Sequence, residues 1–310
     1  MARKNQVADA APGNLVDRYA PDWLRPFARL ARWDRPIGVW LLFWPCAWSA
    51  ALVATATGQP APNLWHLILF LIGAFVMRGA GCTWNDIVDR NIDAKVPRTA
   101  GRPIPAGDVT VKVALGFLAL QLVVALIVLQ QFNLIAIVFG FLAIIPVATY
   151  PFMKRIIWWP QAVLGICFAW GALMGWAASE ASLSGASNLL FLGTIMWVIG
   201  YDTIYALQDI EDDALAGVKS TARLFGAHVR TWLWGFYGLS VALIAASLVA
   251  ANAGFAGWLG IVAFAAHLFW QVKILEPSDP RHALALFRSN KTAGLLLFAG
   301  LAADAALRAL

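Results

Sequence analysis

Residues 64–93 read LWHLILFLIGAFVMRGAGCTWNDIVDRNID. The first twenty or so are almost uninterrupted apolar side chains, about the length that crosses roughly 30 Å of hydrocarbon as a helix. The run then ends in a rank of polar groups, Asn85, Asp86, Asp89 and Asp93. Similar apolar runs begin near Ile37, Val111, Asn133, Trp159, Leu189, Trp232, Phe255 and Thr292, which gives about nine spans. With 61% hydrophobic and only 13% charged residues, the 310-residue chain has too little polar side chain to cover a soluble domain. The expected fold is an all-α polytopic membrane bundle, with residues 37–310 as one transmembrane domain behind a polar segment, 1–36.

Loop charge orients the spans. Gly58-Gln59-Pro60, Gln130-Gln131, Ser179 to Ser187 and Asn252-Ala253-Gly254 contain no Lys or Arg. On the opposite face lie Arg25, Arg29, Arg32 and Arg35, then Arg90, Lys95, Arg98 and Arg102, then Lys154 and Arg155, then Lys219, Arg223 and Arg230, then Lys273, Arg281 and Arg288. By the positive-inside bias this second face is cytoplasmic, with the amino terminus inside and the carboxyl terminus outside. The net charge of +6 then reflects topology and attraction to anionic lipid, so no nucleic-acid partner is needed to explain it. No signal peptide is expected at the amino terminus. Cys46, Cys82 and Cys167 sit in apolar runs, too scattered for a metal site, and read as packing residues.

Acid is scarce, so its clustering is informative. Of seventeen Asp and Glu, three fall in residues 86–93 and five in residues 202–213, which scattered surface solvation would not produce. On a helix Asn85, Asp89 and Asp93 share a face with Asp86 beside them, and Asp209 and Asp213 repeat the four-residue spacing. Stacked like charges repel, and a divalent cation reverses that penalty. Oxygen donors without nearby His or Cys suit Mg2+. Magnesium favours sharing its shell with phosphate, and Arg98, Arg102, Lys154, Arg155 and Lys219 offer further positive charge, so a Mg2+-diphosphate substrate is expected. The plainer alternative is that these groups only solvate loops, and the regular spacing argues against it.

Two charges lie deeper. Arg78 precedes Asn85 by seven residues and Asp202 precedes Asp209 by seven, placing each about 10 Å farther along its helix. Charges inside a membrane usually face a cavity and mark function, here the floor of a pocket; the alternative is an Arg78–Asp202 ion pair.

These segments are familiar as a set. Arg35-Pro36-Ile37-Gly38, Trp44-Pro45, Arg78-Gly79-Ala80-Gly81-Cys82, the Asn85 to Asp93 rank, Arg98-Thr99 with Arg102-Pro103, Tyr150 to Arg155, Tyr201-Asp202-Thr203 with Tyr205-Ala206, and Asp209 to Asp213 followed by Gly217 and Lys219-Ser220-Thr221 together resemble the UbiA family of intramembrane aromatic prenyltransferases. The resemblance implies a helical bundle around a central cavity opening to the cytoplasmic side, Mg2+ as cofactor, and polyprenyl diphosphate and 4-hydroxybenzoate as substrates in ubiquinone synthesis. It implies that Asn85, Asp86, Asp89, Asp93, Asp209 and Asp213 hold metal. It further implies that Arg98, Tyr150, Lys154, Tyr205 and Lys219 surround the diphosphate, with Arg78 and Arg155 at the diphosphate or the aromatic carboxylate. Asp89, Asp209, Asp202 and Arg155 are the expected catalytic groups, Asp202 by polarising the phenol. A bacterial inner membrane is the expected location.

Two rivals stand beside this reading. A secondary transporter would show inverted repeats and midplane charges, whereas the echo between the two acidic ranks is parallel and sits at one mouth. A relative with another aromatic acceptor shares the fold and is separated only by its substrate.

Overall fold

The computed structural model describes residues 13–97, 99–210, 214 and 217–309. Arg98, Asp212 and Asp213 therefore lie outside the described residues. Among those described, the regular secondary structure is entirely helical. Two short helices, α1 (Leu15–Tyr19) and α2 (Arg25–Leu30), precede α3 (Ile37–Thr57), α4 (Leu64–Asp93), α5 (Val111–Leu129), α6 (Leu134–Leu142), α7 (Ile144–Ile156), α8 (Pro160–Glu180) and α9 (Gly185–Ala206). After a 3-10 turn at Leu207–Asp209 come α10 (Thr221–Phe225), α11 (Val229–Ala250), α12 (Phe255–Ile274) and α13 (Pro280–Arg308).

Among the described residues, eight segments are long and apolar enough to cross a membrane, counting α6 with α7 and α10 with α11 as one each. The expected ninth is α13, which is 29 residues long but carries Arg281, Arg288, Lys291, Asp304 and Arg308, too much charge to rank with the rest. The fourth span is interrupted at Ala143, where α6 stops and α7 starts. Pro146 in the first turn of α7 accounts for the break, because it has no N–H to give the carbonyl of Leu142 and is best tolerated at the start of a helix. The basic-free loops coincide with helix connections, and Gly58, Ala181 and Asn252 take the left-handed backbone that ends a helix there.

The chain forms two compact units, Met1–Val39 with Ile72–Leu129, and Trp40–Leu71 with Gln130–Leu310. In the first, Leu30, Ile87, Val109 and Ala114 form a buried cluster with Phe117 and Leu118 against it, and Phe27 meets Phe117 edge-on at 5.2 Å. Thr83 and Gln121 join α4 to α5 at 3.2 Å. The second unit packs α8, α9 and α11 side by side and α12 against α13.

Within hydrocarbon, helices gain little from hiding apolar surface, so close backbone approach and polar bridges matter more. A Cβ on Gly175 of α8 would stand 2.7 Å from the Cys46 carbonyl oxygen and 2.6 Å from Ser49 Cβ, both on α3. Ser49 in turn donates to the Ala172 carbonyl at 2.6 Å. A fully buried network runs from Trp197 Nε1 to Asn290 Oδ1 at 2.8 Å, from Asn290 Nδ2 to Gln271 Oε1 at 3.3 Å, and from the Tyr237 hydroxyl to Gln271 Oε1 at 3.1 Å. Replacing Gly175 with Leu should cost about 1–3 kcal/mol by forcing α3 and α8 apart. A melting temperature in detergent equal to that of the parent chain would show the contact is slack.

Candidate functional site

The acidic rank closes α4. Asn85, Asp86, Asp89 and Asp93 all lie in its last turns as the spacing predicts; Asp86 and Asp89 have no exposed surface and Asp93 keeps 6%. The charge is balanced from within the same unit. Arg32 Nη2 donates to Asp86 Oδ1 at 2.7 Å, and Arg102 Nη1 reaches Asp86 Oδ1 at 3.3 Å and Asp93 Oδ2 at 2.7 Å. Thr99 Oγ1 donates to the Asp93 carbonyl at 2.9 Å, tying the loop that carries Arg102 to the helix end. Burial works against the charge of Arg32, yet the Asp86 carboxylate overcomes it and raises the guanidinium pKa above its ordinary value. Arg102 is raised in the same way: Asp86 and Asp93 outweigh burial and the repulsion of Arg32.

Asp86 Oδ2 is buried and has no hydrogen-bond partner among the described residues. Also among the described residues, no three His, Cys, Asp or Glu side chains gather into a metal-ligating cluster. Asp86 and Asp93 each give an oxygen to a guanidinium, and Asp213 lies outside the described residues.

Arg78 sits on the same helix, half-buried, and packs over Gly38. A Cβ at Gly38 would fall 2.2 Å from Arg78 Nε, so the missing side chain is what gives the guanidinium its place.

The remaining expected residues belong to the second unit. Tyr150, Lys154 and Arg155 lie on α7, with Tyr150 and Lys154 half-buried and Arg155 exposed in the last turn. Asp202 and Tyr205 are half-buried on α9, and the Tyr205 ring leans on Phe287 at 4.6 Å between centroids. Asp209 is half-buried in the 3-10 turn, so the seven-residue step from Asp202 is not one continuous α-helical register.

The end of the connection after this turn is pinned. Gly217 takes a φ of +70°, and Lys219 N–H then donates to the Lys154 carbonyl at 2.9 Å. Thr221 N–H donates to Gln161 Oε1 at 3.0 Å, and its hydroxyl meets Thr203 at 2.7 Å. The Lys219 ammonium donates to the Ile156 carbonyl at 2.8 Å and lies 5.8 Å from the Trp158 ring centre. The Lys219 ammonium thus reaches the carboxyl-terminal end of α7.

Sequence comparison decides the family. Residues 42–299 match the model of the UbiA prenyltransferase family. This chain belongs to the UbiA prenyltransferase family. A mitochondrial 4-hydroxybenzoate polyprenyltransferase from Aedes aegypti is 47% identical over 277 residues, which is 89% of this chain and 62% of that protein, so the chain spans under two thirds of that relative. An apo UbiA homologue from Aeropyrum pernix superposes with a TM-score of 0.70 at 25% identity, over 84% of this chain and 97% of that one. A UbiA homologue from Archaeoglobus fulgidus, bound to GPP and Mg2+, gives 0.61 at 20% identity over 90% and 99%, which speaks to fold.

Among UbiA-family motifs quoted from the sequence, Gly38 had no role until Arg78 was seen against it. Arg32 was counted only as a topology charge, because nothing in its neighbours marks a guanidinium that turns inward. A Gly38→Ala variant should fold normally yet displace Arg78, lowering prenyl transfer toward the level of Arg78→Ala. If Gly38→Ala and Arg78→Ala effects simply add in a double-variant assay, the two residues act separately.

Proposed function

We propose that this chain transfers a polyprenyl group from polyprenyl diphosphate to the ring carbon ortho to the hydroxyl of 4-hydroxybenzoate, releasing diphosphate, with Mg2+ as its metal, in ubiquinone biosynthesis. The observation that carries the reading is 47% identity across 89% of the chain to a protein of that name. The donors fit a hard divalent ion, being oxygen only, with the buried Asp86 Oδ2 not engaged in any hydrogen bond among the described residues. The residues assigned to hold it are Asn85, Asp86, Asp89, Asp93, Asp209 and Asp213. When bound there, the ion supplies positive charge against which diphosphate can depart.

The chain's own residues do the rest. Arg98, Arg102, Lys154 and Arg155 add fixed positive charge aimed at the leaving group, and Tyr150 and Tyr205 flank it. Lys219 is assigned to the diphosphate as well, and its ammonium lies against the last turn of α7, where Lys154 and Arg155 sit. Breaking the carbon–oxygen bond leaves an allylic cation that water would trap, so apolar helices in lipid must keep the site dry. The electron-rich ring carbon then bonds to that cation and a base takes up the ring proton, restoring aromaticity; Asp202 polarises the phenol to make the carbon more nucleophilic. Arg78 and Arg155 are assigned to the aromatic carboxylate or the diphosphate. The reading places this multi-pass chain in a bacterial inner membrane, and loop charge supports an inside amino terminus and an outside carboxyl terminus.

Membranes containing the protein, incubated with a polyprenyl diphosphate, 4-hydroxybenzoate and Mg2+, should yield a lipid-extractable prenylated acid. Chelation with EDTA should abolish it, and Asp86→Asn, Asp89→Asn or Asp209→Asn should each lower turnover by about 10²-fold or more. Product that persists in EDTA would remove the metal from the scheme. Product formed only with a different aromatic acceptor would remove 4-hydroxybenzoate.

A further inference from the structure

Helix α2 ends at Leu30 in a tight cap. Arg32 N–H donates to the Arg29 carbonyl at 3.1 Å and Trp33 N–H to the Ala28 carbonyl at 2.9 Å, the paired bonds of a Schellman turn. The residue at the turning position normally has a left-handed backbone and is usually glycine, since a Cβ there costs about 1–2 kcal/mol. Here it is Arg32, with φ of +60°. The left-handed turn sends its side chain inward. One guanidinium nitrogen donates to the Arg29 carbonyl at 2.8 Å and the other to Asp86 Oδ1 at 2.7 Å, and the side chain is 8% exposed. A strained backbone kept at a buried ion pair is the kind of feature that accompanies a functional constraint.

The two oxygens of Asp86 are thereby divided. Oδ1 is taken by Arg32 and, at a longer 3.3 Å, by Arg102, while Oδ2 is buried and bare of hydrogen bonds among the described residues. Arg102 already holds Asp93 Oδ2 at 2.7 Å and stands 3.3 Å from Oδ1 of the same Asp86 carboxylate. We propose that Arg32 is a positioning residue that clamps Asp86 by one oxygen so that the other stays open to a divalent cation instead of being captured by Arg102. The inference rests on the assignment of Asp86 as a metal ligand. Arg32 itself touches neither metal nor substrate, and Arg102 is the competitor the metal meets.

The test uses the full-length protein in lipid nanodiscs without any diphosphate, with Mn2+ binding followed by the electron paramagnetic resonance of the free ion. Arg32→Gly suits the backbone, because glycine is the residue the turn prefers. It should weaken Mn2+ binding by about tenfold, as loss of a partner that orients a metal ligand does. Arg32→Lys should restore much of that loss. In the Arg32→Gly background, adding Arg102→Gln should recover binding, an outcome that a merely structural role for Arg32 does not produce. Should Arg32→Gly fail to fold, Arg102→Gln alone decides: it should tighten Mn2+ binding, and unchanged or weaker binding overturns the proposal. Asp86→Asn separates the two layers of argument. If it leaves Mn2+ binding intact, the ligand assignment fails; if it weakens binding while a folded Arg32→Gly does not, only the role of Arg32 fails.

Discussion

A carboxylate with no exposed surface cannot stay charged at the edge of a bilayer unless opposite charge comes to it, and Asp86 receives two guanidinium groups. Much of the first unit is arranged around that requirement. The Schellman turn after α2 aims Arg32, the Thr99 bond anchors the loop bearing Arg102, and the Leu30, Ile87, Val109 and Ala114 cluster brings these segments onto the end of α4. Such a network adds less to stability than to geometry, since desolvation offsets most of the attraction. What it fixes is which oxygens face where.

The second unit solves a different problem, how to hold basic and aromatic groups at helix ends. Pro146 makes α7 a separate 13-residue helix, and its last turn is secured by the backbone bond from Lys219 and by the Lys219 ammonium on Ile156. The segment from Gly217 to Thr221 thus works as a fastener across α7, α8 and α9, through Lys154, Gln161 and Thr203.

The membrane architecture was legible because apolar length and loop charge act locally, residue by residue. The placement of Asn85, Asp86, Asp89 and Asp93 on one helix was legible for the same reason: a four-residue spacing needs no tertiary information. Three things were not. The stop of α9 at Ala206 depends on how the chain leaves the helix, which the acid spacing does not encode. The contact of the Lys219 ammonium with the carbonyl of Ile156 joins residues 63 apart. Arg32 reads like any other arginine of the basic loops, since a left-handed arginine at a helix end has no sequence signal where glycine is the usual sign. The charge on α13 made it the least span-like of the expected nine, and its buried Asn290 joins the network that also holds Trp197 and Gln271.

The order of the counter-charges along the chain bears on biogenesis. Arg32 precedes Asp86 by 54 residues, whereas Arg102 follows it by 16. When the acidic end of α4 emerges from the ribosome, the first neutralising group has already been synthesised, and the second has not. The carboxylate can therefore be met by a guanidinium from upstream while the membrane segment is being delivered, which lowers the penalty of settling it at the bilayer edge before the remaining helices exist.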